Sequence, residues 1–263
     1  ALGRFKHENA ELVISKDEKI ILYMGDDERG EYLYKYVSNK SINEVKDKST
    51  LLSNGNLYVA KFNDNFTGEW LLLDTQTTGL SSKAEVCIFT RLAASKVGAT
   101  TMDRPEWIAS NPKKNEVCCC LTNNKNRGIK TNKGGDKVDV DKVNPRKNNK
   151  YGQIVRWKPR DNNHSSVYFE WDLFVVAGNP NVHDDNNRGS KNIDKENMFN
   201  SPDGLKFDKY GRLWIQTDGN YSNSGDFKGM GNNQMLIADT NTGKIKRFMV
   251  GPKECEVTGL TFA

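Results

Sequence analysis

Histidine is scarce in this chain: His7, His164 and His183 are the only three in 263 residues. That argues against a metal site built on imidazoles. The five cysteines contain no CxxC pair, so the spacing of a structural zinc site is absent. Cys118, Cys119 and Cys120 are adjacent. Neighbours in a strand point to opposite faces, so the triplet cannot converge on one ion, and it reads as small apolar strand residues. No apolar run is long enough to span a bilayer, and no secretory signal stands at the N-terminus. P-loop, GxSxG and HExxH motifs are all missing. Gly229–Asn233 (GMGNN) lacks the strand–helix context of a dinucleotide fingerprint. The opening residues, ALGRFKHE, read as the middle of a domain, and the closing TGLTFA reads as an interrupted strand. We therefore expect one domain over residues 1–263, truncated at both ends, whose missing signal is silent on localisation.

What is present is polar and strand-rich. Apolar residues make up 36% of the chain and the mean hydropathy is −0.75. This suits an all-β protein with long loops better than a helical bundle. The net charge of +5 is spread out. Lys125, Lys130, Lys133 and Lys137 form a local cluster, but Asp136, Asp139 and Asp141 interleave it. A solvated loop fits that pattern better than a nucleic-acid surface.

Three stretches share one layout. They run Lys6–Asp27, Arg104–Asn124 and Ser201–Gly219. Each opens with an acid (Glu8, Glu106, Asp203), followed by an apolar strand, a polar turn, a second strand and a cluster of Asp or Asn. A fourth copy begins at Glu256. Hairpin repeats of this kind predict a β-propeller, in which equivalent positions of successive blades converge on one axis. Carboxylates gathered there repel one another unless cations neutralise them, and hard oxygen donors in numbers suit Ca²⁺.

Between the repeats, the pattern predicts strands at EYLYKYVS, NLYVAKF, GEWLLLD, GQIVRWKP, SVYFEWDLFVVAG, NQMLIADT and GKIKRFMVG. Residues 83–100 predict the single short helix, ending at Gly98. Residues 123–150 and 179–199 read as long polar loop insertions, the first of them on the surface. GDD at Gly25–Asp27, TNN at Thr122–Asn124 and TDG at Thr217–Gly219 fit either ligands or Asx turns. Asp27 is the favoured candidate among them, because an Asp pair flanked by Glu28 needs counter-charge. Pro105 biases Arg104 towards an extended conformation, and alternation then puts Arg104 and Glu106 on one side. An arginine fork beside a metal-binding carboxylate suits a tetrahedral oxyanion, although a plain surface salt bridge gives the same pattern.

These stretches resemble the PhoX-type alkaline phosphatases. The resemblance rests on GRFKHE, YMGDDERGEYLYKYVS, TRLAASKVGATTMDRPEW, LTNN, NPRKNNKYGQIVRW, NSPDGLKFD, GRLWIQTDG and CEVTGLTF, in order and over nearly the whole chain. It implies a six-bladed propeller, here incomplete, and a periplasmic or secreted monomeric phosphomonoesterase acting on small phosphate esters. It also implies a cofactor containing Fe³⁺ and Ca²⁺. Carried over by motif, the metal ligands are Glu8, Asp27, Glu106 and Asp203, and Arg104 binds the substrate phosphate. Glu256 is added from the repeat alone. The family's iron-ligating cysteine lies in a Cys-Ala-Gly-Gly motif that this sequence lacks. A Ca²⁺-dependent propeller lactonase or esterase and a non-catalytic binding scaffold are the rival readings.

Overall fold

The structure is a computed structural model that describes residues 2–262. Thirteen strands are assigned. They are β1 (His7–Ile14), β2 (Lys19–Asp26), β3 (Leu33–Ser41), β4 (Gly55–Phe62), β5 (Thr67–Leu72), β6 (Pro105–Ser110), β7 (Val117–Leu121), β8 (Gln153–Pro159), β9 (Tyr168–Val176), β10 (Pro202–Phe207), β11 (Arg212–Thr217), β12 (Gln234–Asp239) and β13 (Ile245–Val250). They form three antiparallel meanders of four strands: β1–β4, β6–β9 and β10–β13. β5 pairs with both β4 and β9, which joins the first two meanders into one sheet at their outer edges. The innermost strands lie side by side, with β6 packed against both β1 and β10. These are successive blades of a β-propeller, as the repeat predicts.

The period-2 pattern sorts side chains between blade interfaces. In β7, Cys118 and Cys120 join the core between the second and third blades, with Ile154, Leu205 and Leu213. Cys119 points the other way, into the core between the first and second, beside Ile21, Val155 and Trp157. All five cysteines are free. On the outer face of the first blade, Leu22, Met24 and Tyr34 pack against Ala93 and Ala94 of a helical cover.

That cover departs from the single helix expected over 83–100. It comprises α1 (Thr75–Thr78), α2 (Lys83–Ile88) and α3 (Thr90–Lys96), with a break at Phe89 (φ −103°, ψ 45°). Thr90 explains the break: its hydroxyl donates to the Cys87 carbonyl at 2.8 Å and accepts from the Arg4 amide at 2.9 Å. This local bonding competes with the helix ladder. Asp74 forms a capping box with Thr77 and accounts for α1. Among the described residues, no helix is long and apolar enough to cross a membrane.

Two further expectations change. Residues 123–150 keep an exposed stretch at 128–131 and 133–135, as a surface excursion would, but their two ends fold inward. Asn124, Arg127, Asn144, Arg146 and Asn149 in this segment are all buried. The fourth repeat at Glu256 forms no strand, and Val257 instead donates its amide to the Thr217 carbonyl at 3.1 Å.

Candidate metal centre

The three acids sit at one repeated backbone irregularity. Pairing runs from His7↔Asp26 to Ala10↔Met24, from Pro105↔Leu121 to Ile108↔Cys119, and from Pro202↔Thr217 to Leu205↔Ile215. Each inner strand advances three residues while its partner advances two. One extra residue is therefore inserted, which is a β-bulge that re-aims the side chains at its start. Glu8, Glu106 and Asp203 each open a bulge. A second repeated contact fixes the strand entry two residues earlier. Asp27 donates its amide to the Lys6 carbonyl at 3.0 Å, Thr122 to Arg104 at 3.1 Å and Asp218 to Ser201 at 3.1 Å. Asp27, Thr122 and Asp218 are thus equivalent positions.

Arg104 and Ser201, each before a proline, have φ of +56° and +50°. Arg104 is therefore left-handed and not extended, as Pro105 had suggested. The strained backbone is held by the Thr122 amide behind it. Side chains then stitch the first blade to the second. Asn9 accepts from the Ile108 amide at 3.0 Å and donates to the Ile108 carbonyl at 2.9 Å, imitating a strand. Glu11 accepts from the Ser110 amide at 2.8 Å. Gly25 allows the close approach, since a Cβ there would lie 2.6 Å from the Pro105 oxygen.

As a result, one carboxylate oxygen from each of Glu8, Glu106 and Asp203 lies within 4.8 Å of the others. Glu106 is only 2% exposed. Burial and the neighbouring Asp203 and Asp27 hold its carboxyl far above the usual range. Burial, with Asp218, Glu8 and Asp27, pushes Asp203 up to about 7. Burial and Asp27 also raise Glu8. Three acids that resist ionisation next to one another make a site short of positive charge.

Arg104 supplies part of it. It donates from Nε to Asp27 Oδ1 at 2.8 Å, and from Nη2 to Asp27 Oδ2 at 3.2 Å and Glu106 Oε1 at 3.1 Å. Its Nη1 reaches Asn123 Oδ1 at 3.4 Å. Arg104 and Glu106 therefore do share a side, as alternation suggested, but through an αL residue. Asp27 sits beside the three-carboxylate group, as the bidentate partner of Arg104. Glu256 is exposed, lies outside that group, and is raised by Asp218, with which it shares a hydrogen bond.

Behind Arg104, Asp103 anchors a fully buried network. Arg127 donates from Nε to Asp103 Oδ1 at 2.7 Å, and Asn149 donates to Asp103 Oδ2 at 2.9 Å. Arg127 also donates to the Thr101 and Asp139 carbonyls, both at 2.8 Å. The motif residues of residues 123–150 thus brace the site from within. Asn9 and Ser201 were not legible as site residues, because their roles are contacts between blades; Asn123 belongs to the TNN stretch that fitted a ligand or an Asx turn, and it accepts from Arg104 and donates to Ser201 instead.

The donor set is all hard oxygen and suits Ca²⁺. No cysteine belongs to the group among the described residues, so a thiolate-held iron finds no sulfur ligand in it.

Over residues 1–263 the sequence matches the family described as alkaline phosphatase PhoX. The chain belongs to that family. It is also similar to a solved structure, Pseudomonas fluorescens PhoX in complex with vanadate, a transition-state analogue. The identity is 54% and the TM-score 0.90, over 98% of this PhoX-family chain and 46% of that one. This chain thus spans less than half the length of that protein. A luciferin-regenerating enzyme is 9% identical, with a TM-score of 0.34, over 98% of this chain and 80% of that one, too distant to bear on the site. No curated protein matches this sequence.

Proposed function

We propose that the chain carries part of a metal-dependent phosphomonoesterase that releases phosphate from small organic esters. The observation that carries this reading is the convergence of Glu8, Glu106 and Asp203 beside the Arg104 guanidinium. In it, Glu8, Glu106 and Asp203 hold hard cations of the Ca²⁺ type, with Asp27 and Glu256 as outer candidates. The family resemblance adds iron, with its sulfur ligand coming from outside these residues. Bound metal supplies charge neutralisation and Lewis acidity to the phosphoryl group.

The chain's own residues have separate tasks. Asp27 fixes the plane and direction of the Arg104 guanidinium through two bonds. Nη1, held only by the 3.4 Å contact to Asn123, is the donor left for a phosphate oxygen. A guanidinium suits this because it keeps its charge at alkaline pH and stabilises charge that develops on the phosphoryl oxygens. Glu106 links the two functions, since the carboxylate in the cation group also accepts from Arg104. Export to the periplasm or medium is part of the same reading, carried from the family.

The test is turnover of p-nitrophenyl phosphate by the complete protein, with calcium, with iron and after chelation. Chelator-sensitive release is expected. Release of phosphate that chelation leaves intact, or hydrolysis of lactones in its place, would overturn the reading.

A further inference from the structure

Next to Arg104 opens a polar cleft of about 480 Å³, within the size range of small-molecule sites. It shares its floor with the catalytic region. Asn123 lines it and accepts from Arg104, and Asn123 in turn donates to Ser201 Oγ at 3.3 Å. The cleft also holds Arg29 and Lys125. Lys6 and Lys133 pair with Glu28, Arg91 pairs with Asp26, and Lys150 in the same cleft pairs with Asp226. Arg29 and Lys125 have no ion pair among the described residues. Arg29 Nε is moreover buried without a hydrogen-bond partner. A buried donor left unpaired carries a desolvation cost that an anion accepting from it would offset. Asp218 is the acid among the described lining residues with no ion pair, and its interactions are with Asp203 and Glu256. Phe227, packed on Tyr151 with ring centroids 5.5 Å apart, closes one wall.

We propose that this cleft is a second anion subsite. It receives the leaving group of the ester, and Arg29 and Lys125 bind another phosphate carried on that group. The preferred substrates are then organic bisphosphates rather than esters with uncharged leaving groups. Arg29 contributes a fork that fits two phosphate oxygens, and Lys125 contributes a mobile point charge at the rim. The proposal rests on the phosphatase reading above for its location beside Arg104.

The experiment compares fructose 1,6-bisphosphate with p-nitrophenyl phosphate, using the metal-loaded complete protein and its Arg29→Gln/Lys125→Gln double variant. The expected loss in kcat/KM is about tenfold larger on the bisphosphate, with the difference shrinking at high salt. Arg29→Lys, which keeps the charge, should recover part of it. Equal losses on both substrates would mark a structural role and overturn the subsite. A calorimetric titration with the bisphosphate decides the matter without turnover: unchanged affinity in the double variant overturns the subsite. Absence of any turnover by the loaded wild type would instead overturn the phosphatase reading.

Discussion

Replacing Glu106 with Gln in the complete protein tests the charge logic of the centre most directly. Glu106 is 2% exposed, and its carboxyl is pushed up by burial, Asp203 and Asp27. Without cations, ionising it next to two other acids opposes folding. A neutral amide of the same shape removes that repulsion, so the metal-free variant should melt above the metal-free wild type. Calcium should reverse the order. At 100 times its dissociation constant a ligand adds about 2.7 kcal/mol to the native state, or about 5–10 °C for a chain of this size. The variant, one anionic ligand short, should gain well under half of that. The pH dependence has a definite sign. A carboxyl whose folded pKa is raised lowers stability progressively as pH climbs from its unfolded value towards its folded one. Asp203, at about 7, places much of this loss below neutrality, and Glu106 extends it to more alkaline pH. Calcium should replace those protons, so its stabilisation grows with pH. Scanning calorimetry in chelator and in calcium, at pH 6 and pH 8.5, reads all of this. Wild-type melting that is indifferent to calcium at both pH values would refute the reasoning.

Arg104→Lys keeps the charge but loses the two-point grip on Asp27; we expect about a hundredfold loss in turnover with bound metal unchanged, checked by metal analysis beside kinetics. Lys35 is buried with its Nζ donating to the Ser166 and His164 carbonyls at 2.7 and 3.2 Å, and burial pushes it down to about 7. A base with a lowered folded pKa costs stability fully below that value and loses the cost as pH rises towards 10.5, so Lys35→Met should gain relative to wild type as pH falls from 10 to 7; urea midpoints that differ by the same amount throughout would contradict this. Arg127→Met strands the buried Asp103 carboxylate and should cost about 3–5 kcal/mol, while Arg127→Met/Asp103→Asn should recover part of it in the same denaturant assay.

Much of the propeller is written locally. Alternating apolar residues and turn signals mark nearly every strand, and period-2 geometry alone sends Cys118 and Cys120 one way and Cys119 the other. The recurring acids Glu8, Glu106 and Asp203 are legible for the same reason, because equivalent positions of a repeat occupy equivalent places in space. Tertiary structure decided what depends on contacts between distant segments. The 4.8 Å convergence needs a bulge in each inner strand and Asn9 stitching two blades, and neither leaves a local pattern. The left-handed Arg104 overrides the preference imposed by Pro105, because the Thr122 amide and the Asp103 network hold it from behind. Residues 123–150 look solvated by composition, yet Arg127, Asn144 and Asn149 find buried partners that only the folded chain supplies. Composition reports how polar a segment is; whether its polar groups meet water or one another is settled by the fold.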